Sequence, residues 1–141
     1  MVKYPRTPHY YETDQMKIVH HSNYIRWFEE ARIYYLDAIG MRFADQENRG
    51  IVCPVLTVDA AYKKMVRFGD SVEVITRVNL YDGLRYGFSY EVRNTETGEI
   101  CCTGTSTHCF LTADGKILRV RREYPEMHEI LTRCLAEDNN I

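Results

Sequence analysis

Residues 11–40 read YETDQMKIVHHSNYIRWFEEARIYYLDAIG. Within them Tyr24, Trp27, Phe28, Ala31, Tyr34, Tyr35, Ala38 and Ile39 recur at helical spacing. Ser22 is suited to cap the start of that helix and Gly40 to end it. Ile25, Ile33 and Leu36 widen the apolar face, which predicts a helix buried over most of its circumference. Residues 13–22 carry no period and read as a loop leading into it.

Outward from the helix the period changes to two. Residues 3–12 read as extended, and residues 51–63 as a strand whose Pro54 favours an edge or a strand start. In 71–80, Val72, Val74, Thr76, Val78 and Leu80 share one face; in 84–92, Leu84, Tyr86, Phe88, Tyr90 and Val92 do the same. Asp82-Gly83 between these runs is a strong hairpin signal. Thr97-Gly98 and Asp114-Gly115 mark further turns, giving strands at 99–112 and 117–121, and Glu126 to Ala136 reads as a short amphipathic helix. The expected fold is α+β, one domain over residues 1–141: an antiparallel sheet of about five to six strands wrapped round a long central helix. Such a sheet leaves an edge strand open, and pairing with a second copy closes it.

The 141 residues suit one domain with a real core. The net charge of -2, with both signs mixed along the chain, lacks the gathered basic excess of a nucleic-acid binder. The cluster Arg119, Arg121 and Arg122 reads as a solvated strand end. No apolar run approaches the roughly 18 residues of a membrane span, and MVKYPRTPHYY is not an apolar signal sequence. The five cysteines form no CxxC pair and are expected to be reduced packing residues in a cytoplasmic protein.

Chemistry gathers before the helix. Asp14 lies in the loop, and His20, His21, Ser22 and Asn23 lie at the helix start. The first turn of a helix carries unpaired N–H groups and partial positive charge, so it can hold a carbonyl oxygen that is gaining charge. A carboxylate beside it can act as nucleophile or base, and these parts fit acyl transfer. A loop Asp is more commonly a turn or capping residue. His20 and His21 with Glu29 or Glu30 lack the spacing of a metal site, and Ser22 lacks a GxSxG setting. Neither a metal nor a cofactor is expected.

The segment resembles the motif of hotdog-fold acyl-CoA thioesterases of the 4-hydroxybenzoyl-CoA thioesterase type. Their pattern is an Asp, two variable residues, usually a Gly, Ile/Val-Val, a His or aromatic pair, a small residue, then Asn-Tyr opening the central helix. Here it reads Asp14, Gln15-Met16, Lys17, Ile18-Val19, His20-His21, Ser22, Asn23-Tyr24. RWFEEAR, the run from Tyr62 to Asp70, and THCFLTADGKILRVRREYP are also similar, so the likeness covers nearly the whole chain. Lys17 replaces the usual Gly, and the local backbone there must either differ or tolerate a side chain.

The resemblance implies that Asp14 attacks the thioester or activates water, and that a backbone N–H near His21 polarises the carbonyl while its imidazole assists. It implies that Val19, His20, Ser22, Asn23 and Tyr24 shape the substrate pocket. It further implies a homodimer or homotetramer with active sites between protomers, the partner's strand around Val55 to Ala60 (Val58 among them) completing the acyl pocket. Lys63, Lys64, Arg67 or Arg85 would meet the CoA phosphates. Two other readings stand beside hydrolysis: a dehydratase using His21 and Glu29, and a non-catalytic acyl-CoA binder.

Overall fold

The computed structural model describes residues 1–139. Five strands form one antiparallel sheet in the order β1-β3-β4-β5-β2: β1 (Val2–Arg6), β2 (Val55–Tyr62), β3 (Val72–Tyr81), β4 (Arg85–Asn94) and β5 (Ile100–Cys109). The β3–β4 hairpin turns at Asp82-Gly83 as its sequence requires. Gly83 takes φ 90°, and Asp82 Oδ1 accepts from the N–H groups of Leu84 and Arg85. Val72, Val74, Thr76 and Val78 are buried, as are Tyr86, Phe88, Tyr90 and Val92, with Val74 opposite Val92, Thr76 opposite Tyr90 and Val78 opposite Phe88. A register shift between Val78 and Leu80 then breaks the alternation, and Leu80 leaves the buried set.

Helix α1 (Ser22–Ala38) supplies the other half of the core. Trp27, Phe28, Ala31, Tyr35 and Leu36 are buried, with Phe28 stacked on Tyr90 at 4.5 Å between ring centres. That approach requires Gly104 on β5, where a Cβ would stand 2.4 Å from the Phe28 ring. Helix α4 (Pro125–Asp138) packs on β3, and its Asp138 carboxylate accepts from the Val78 N–H at 2.8 Å and from the Tyr35 hydroxyl.

Several local expectations are corrected. The extended run from residue 3 stops at Arg6, and Tyr10–Glu12 form a single 3-10 turn. Residues 117–121 make only one bridge, Leu111 with Ile117, before the short helix α3 (Val120–Glu123) takes over. Helix α2 (Phe43–Asn48) was not visible as a pattern; one turn and a half is too short to show a period. Ser22 is not the cap. It is already helical, and the His20 ring accepts from the Ser22 N–H through Nδ1 at 3.3 Å. Within one chain α1 is buried on one side rather than most, with Ile25 41% and Tyr34 43% exposed. All five cysteines are free thiols.

Candidate active site

The loop before α1 is fixed by main-chain bonds. Asp14 and Ile18 close a tight turn, with the Asp14 N–H donating to the Ile18 carbonyl at 2.9 Å and the Lys17 N–H to the Asp14 carbonyl at 2.9 Å. Asp14 Oδ1 accepts from the Met16 N–H at 2.8 Å, so the carboxylate is partly held while its side chain stays exposed. Lys17 takes φ 62°, the left-handed conformation that Gly would adopt freely. The substitution has therefore kept a glycine-like backbone and tolerates the strain. Val19 N–H to Val66 O at 2.8 Å and Phe68 N–H to Lys17 O at 2.9 Å fasten the loop to the segment before β3.

Beneath the turn lies a hub that sequence reading missed. Glu12 is 3% exposed. Its Oε1 accepts from the His9 N–H at 2.8 Å and Arg6 Nη1 at 2.9 Å, and its Oε2 from Arg6 Nη2 and Trp27 Nε1, both at 2.9 Å. Its main-chain carbonyl accepts from the His20 N–H at 2.9 Å and from Asn23 Nδ2 at 2.8 Å. Burial pushes the Glu12 carboxyl up, but the His9, Trp27 and Arg6 bonds outweigh it, and the group lies below its usual range. Glu12 thus ties the Asp14 loop to the first turns of α1 through Trp27, Asn23 and His20. Asn23 is buried and serves this clamp with its amide.

Val19, His21 and Tyr24 line a groove of about 230 Å³ with Tyr62, Lys63, Lys64 and Met65. His21 is exposed, and its carbonyl accepts from the Tyr62 hydroxyl at 3.2 Å. Its own N–H meets no acceptor among the described residues. Tyr24 is buried against Trp27 and Tyr62, and burial drives its phenol well above the usual range. His20 lies 4.2 Å from the His21 ring, centre to centre, and its Nδ1 pairs with Ser22 Oγ at 2.9 Å. Asp14, His20, Ser22 and Asn23 do not line this groove. Val58 lines a second cavity of about 130 Å³, further along the same seam between α1 and β2.

That second cavity has a polar floor. Ser106 and His108 share the inward face of β5; Tyr90 hydroxyl pairs with Ser106 Oγ at 2.7 Å, and Ser106 Oγ with His108 Nε2 at 2.8 Å. Burial first, and then the Arg32 charge, hold the His108 ring down to about 3, with the Pro54 carbonyl pulling weakly the other way, so the imidazole is neutral. Arg32 is 4% exposed, and the 3.3 Å bond from its Nη1 to the Tyr86 hydroxyl is its one hydrogen bond among the described residues. The sequence did contain a sign of this burial, since Arg32 stands four residues after Phe28 and four before Leu36, on the apolar face.

The strand at the sheet's end, β2, exposes Val55, Leu56, Val58 and Tyr62. No helix of the described residues is long and apolar enough to cross a membrane.

Known proteins resemble this chain in sequence and in fold. Residues 8–132 match the family model described as the thioesterase-like superfamily. A Bacillus subtilis protein named "Putative acyl-CoA thioesterase YneP" is 33% identical over 120 residues, covering 84% of this chain and 86% of its own. The crystal structure of a DHNA-CoA thioesterase from Staphylococcus aureus superposes with a TM-score of 0.91 at 35% identity, covering 98% of this chain and 93% of that one.

Proposed function

The chain belongs to the thioesterase-like superfamily and has its hotdog fold, and from this premise we propose that it hydrolyses acyl-CoA through Asp14 at the start of α1. The observation that carries the reading is the closed loop. His20 N–H to Glu12 O and Asp14 N–H to Ile18 O bring the Asp14 turn back to the end of α1 where the His21 N–H has no acceptor among the described residues.

The thioester oxygen accepts from the His21 N–H, reinforced by the positive end of a 17-residue helix. One such donor lowers the barrier by about 3–4 kcal/mol as charge develops on that oxygen. An Asp14 carboxylate oxygen then adds to the carbonyl carbon and the CoA thiolate departs, leaving a mixed anhydride that water cleaves to free acid and carboxylate. Alternatively Asp14 takes a proton from the water that attacks directly. Either route is compatible with its exposure and its single N–H bond. Lys63 and Lys64, both exposed at the groove, suit the CoA phosphates.

The exposed apolar β2 edge calls for a second copy of the chain, since an unpaired apolar edge is otherwise an aggregation site. Pairing there gives a homodimer, or a homotetramer of two such pairs, and brings a partner surface to the Asp14 turn, which is open in a single chain.

The test is a panel of short, long and aromatic acyl-CoAs followed by loss of thioester absorbance. Thiol reagents are unsuitable with five free cysteines. Release of CoA from at least one class supports the proposal, whereas tight binding of every member without release sinks it in favour of a binding protein.

A further inference from the structure

Arg32 is a buried charged residue without an ion pair among the described residues. Its guanidinium is buried, meets no carboxylate within 4.0 Å, and spends one nitrogen on a neutral phenol. A buried cation without an anion is costly, and proteins ordinarily pair it. The neighbouring acceptors do not neutralise it, because Tyr86, Tyr90, Ser106 and His108 are all uncharged. His108 Nδ1 is likewise buried without a partner of hydrogen-bonding geometry. Glu29 and Arg26 also line the cavity, but both are exposed and of opposite sign.

The cavity these groups line is about 130 Å³ and is walled on its apolar side by Ile25, Phe28, Val55 and Val58. That is close to the volume that takes one benzene ring in an engineered core. Both cavities follow the α1–β2 seam: His21, Tyr24 and Tyr62 at one, then Ile25, Phe28, Val58 and Arg32 at the other. From His21 to Arg32 the helix rises roughly 16 Å, and the Arg32 side chain leans back over the preceding turn toward the thioester end.

We propose, resting on the hydrolase reading above, that this cleft holds the far end of the acyl group and that Arg32 selects a short acyl chain ending in a second carboxylate. The planar guanidinium fork matches a carboxylate with two parallel bonds, and the apolar walls take the methylenes between. Ser106 and His108 add neutral partners on the floor. The bound anion completes the pairing that Arg32 lacks within one chain.

The experiment compares adipyl-CoA with hexanoyl-CoA, equal in length and differing at the far end. The readout is the ratio of their kcat/KM in wild type, Arg32→Met and Arg32→Lys. A wild-type ratio of about 10 or more, collapsing about 10- to 100-fold in Arg32→Met, is expected for the loss of charge-assisted bonds. Arg32→Lys, which keeps the charge without the fork, should fall between and covers the case in which Arg32→Met fails to fold. A wild-type ratio near one, or a ratio that Arg32→Met leaves intact, overturns the proposal while the hydrolase reading stands. If neither thioester is hydrolysed, the acyl-CoA panel above decides the hydrolase reading, and calorimetric binding of the same two compounds decides the site. Tighter adipyl-CoA binding that Arg32→Met abolishes supports it, and equal binding overturns it. A change of subunit association in Arg32→Met with no change in preference also overturns it, assigning Arg32 to an interface.

Discussion

Replacing Glu12 with Gln tests whether the loop that carries Asp14 is held from below. The Glu12 carboxylate accepts four hydrogen bonds, two on each oxygen. A glutamine side chain keeps one acceptor, able to serve His9 and Arg6 Nη1, but turns an NH2 group toward Arg6 Nη2 and Trp27 Nε1, two donors left facing a donor. Breaking one partner of a buried ion pair costs about 3–5 kcal/mol. Arg6 retains Glu30, 2.8 Å from its Nε, so the lower end applies and Glu12→Gln is expected to lose about 3 kcal/mol. With a urea slope near 1.5 kcal/mol per M, the midpoint falls by roughly 2 M. Because the folded Glu12 carboxyl is held below its unfolded value, its stabilisation is full above the unfolded pKa and is lost as pH falls through the folded one. Wild type should therefore weaken in acid more steeply than Glu12→Gln, and the two midpoints should converge. Thioester turnover should drop in the variant even where urea titration shows it folded, since weaker Arg6 and Trp27 bonds loosen the Glu12 backbone whose carbonyl holds the His20 N–H and the Asn23 amide. A midpoint shift under about 0.5 M, parallel acid profiles and unchanged turnover would refute the hub.

Other perturbations follow from the same geometry. Lys17→Gly should raise stability by about 0.5–1 kcal/mol, the left-handed penalty of roughly 1–2 kcal/mol less the added chain entropy of Gly, as read by urea midpoint. Gly104→Ala should destabilise by about 1–3 kcal/mol, because its Cβ would meet the Phe28 ring at 2.4 Å and the Asp59 carbonyl at 2.5 Å; thermal unfolding checks it. Leu56→Lys, placing a charge on the exposed β2 edge, should shift sedimentation from the dimer or tetramer toward the monomer, and an unshifted profile would remove β2 from the interface.

Much of this architecture was legible because it rests on local rules. The helix from residue 22 and the alternation of β3 and β4, up to the register shift before Leu80, follow from spacing, and the hairpin between them follows from Asp82-Gly83. The Asp14 turn was visible as a motif, and Lys17 within it as a departure whose backbone consequence needed coordinates. What stayed hidden depends on contacts distant in sequence. Glu12 looks like an ordinary loop carboxylate until Arg6, six residues before, and Trp27, fifteen after, converge on it. His108 shares the inward face of β5 with Ser106, but only the packing of α1 over that face makes it a neutral buried group. The α1 face bearing Ile25 and Tyr34 read as core, and a single chain leaves both exposed, because helical spacing reports apolar character without naming what covers it.

The measurement closest to the central claim is the hydrolysis of the preferred acyl-CoA by wild type and Asp14→Asn side by side, with circular dichroism on both. Asn retains the side-chain acceptor for the Met16 N–H, so the turn should persist. The account predicts a folded variant whose kcat falls by at least about 100-fold, the order expected for removing a nucleophile or general base. A folded Asp14→Asn protein with near wild-type kcat would contradict it.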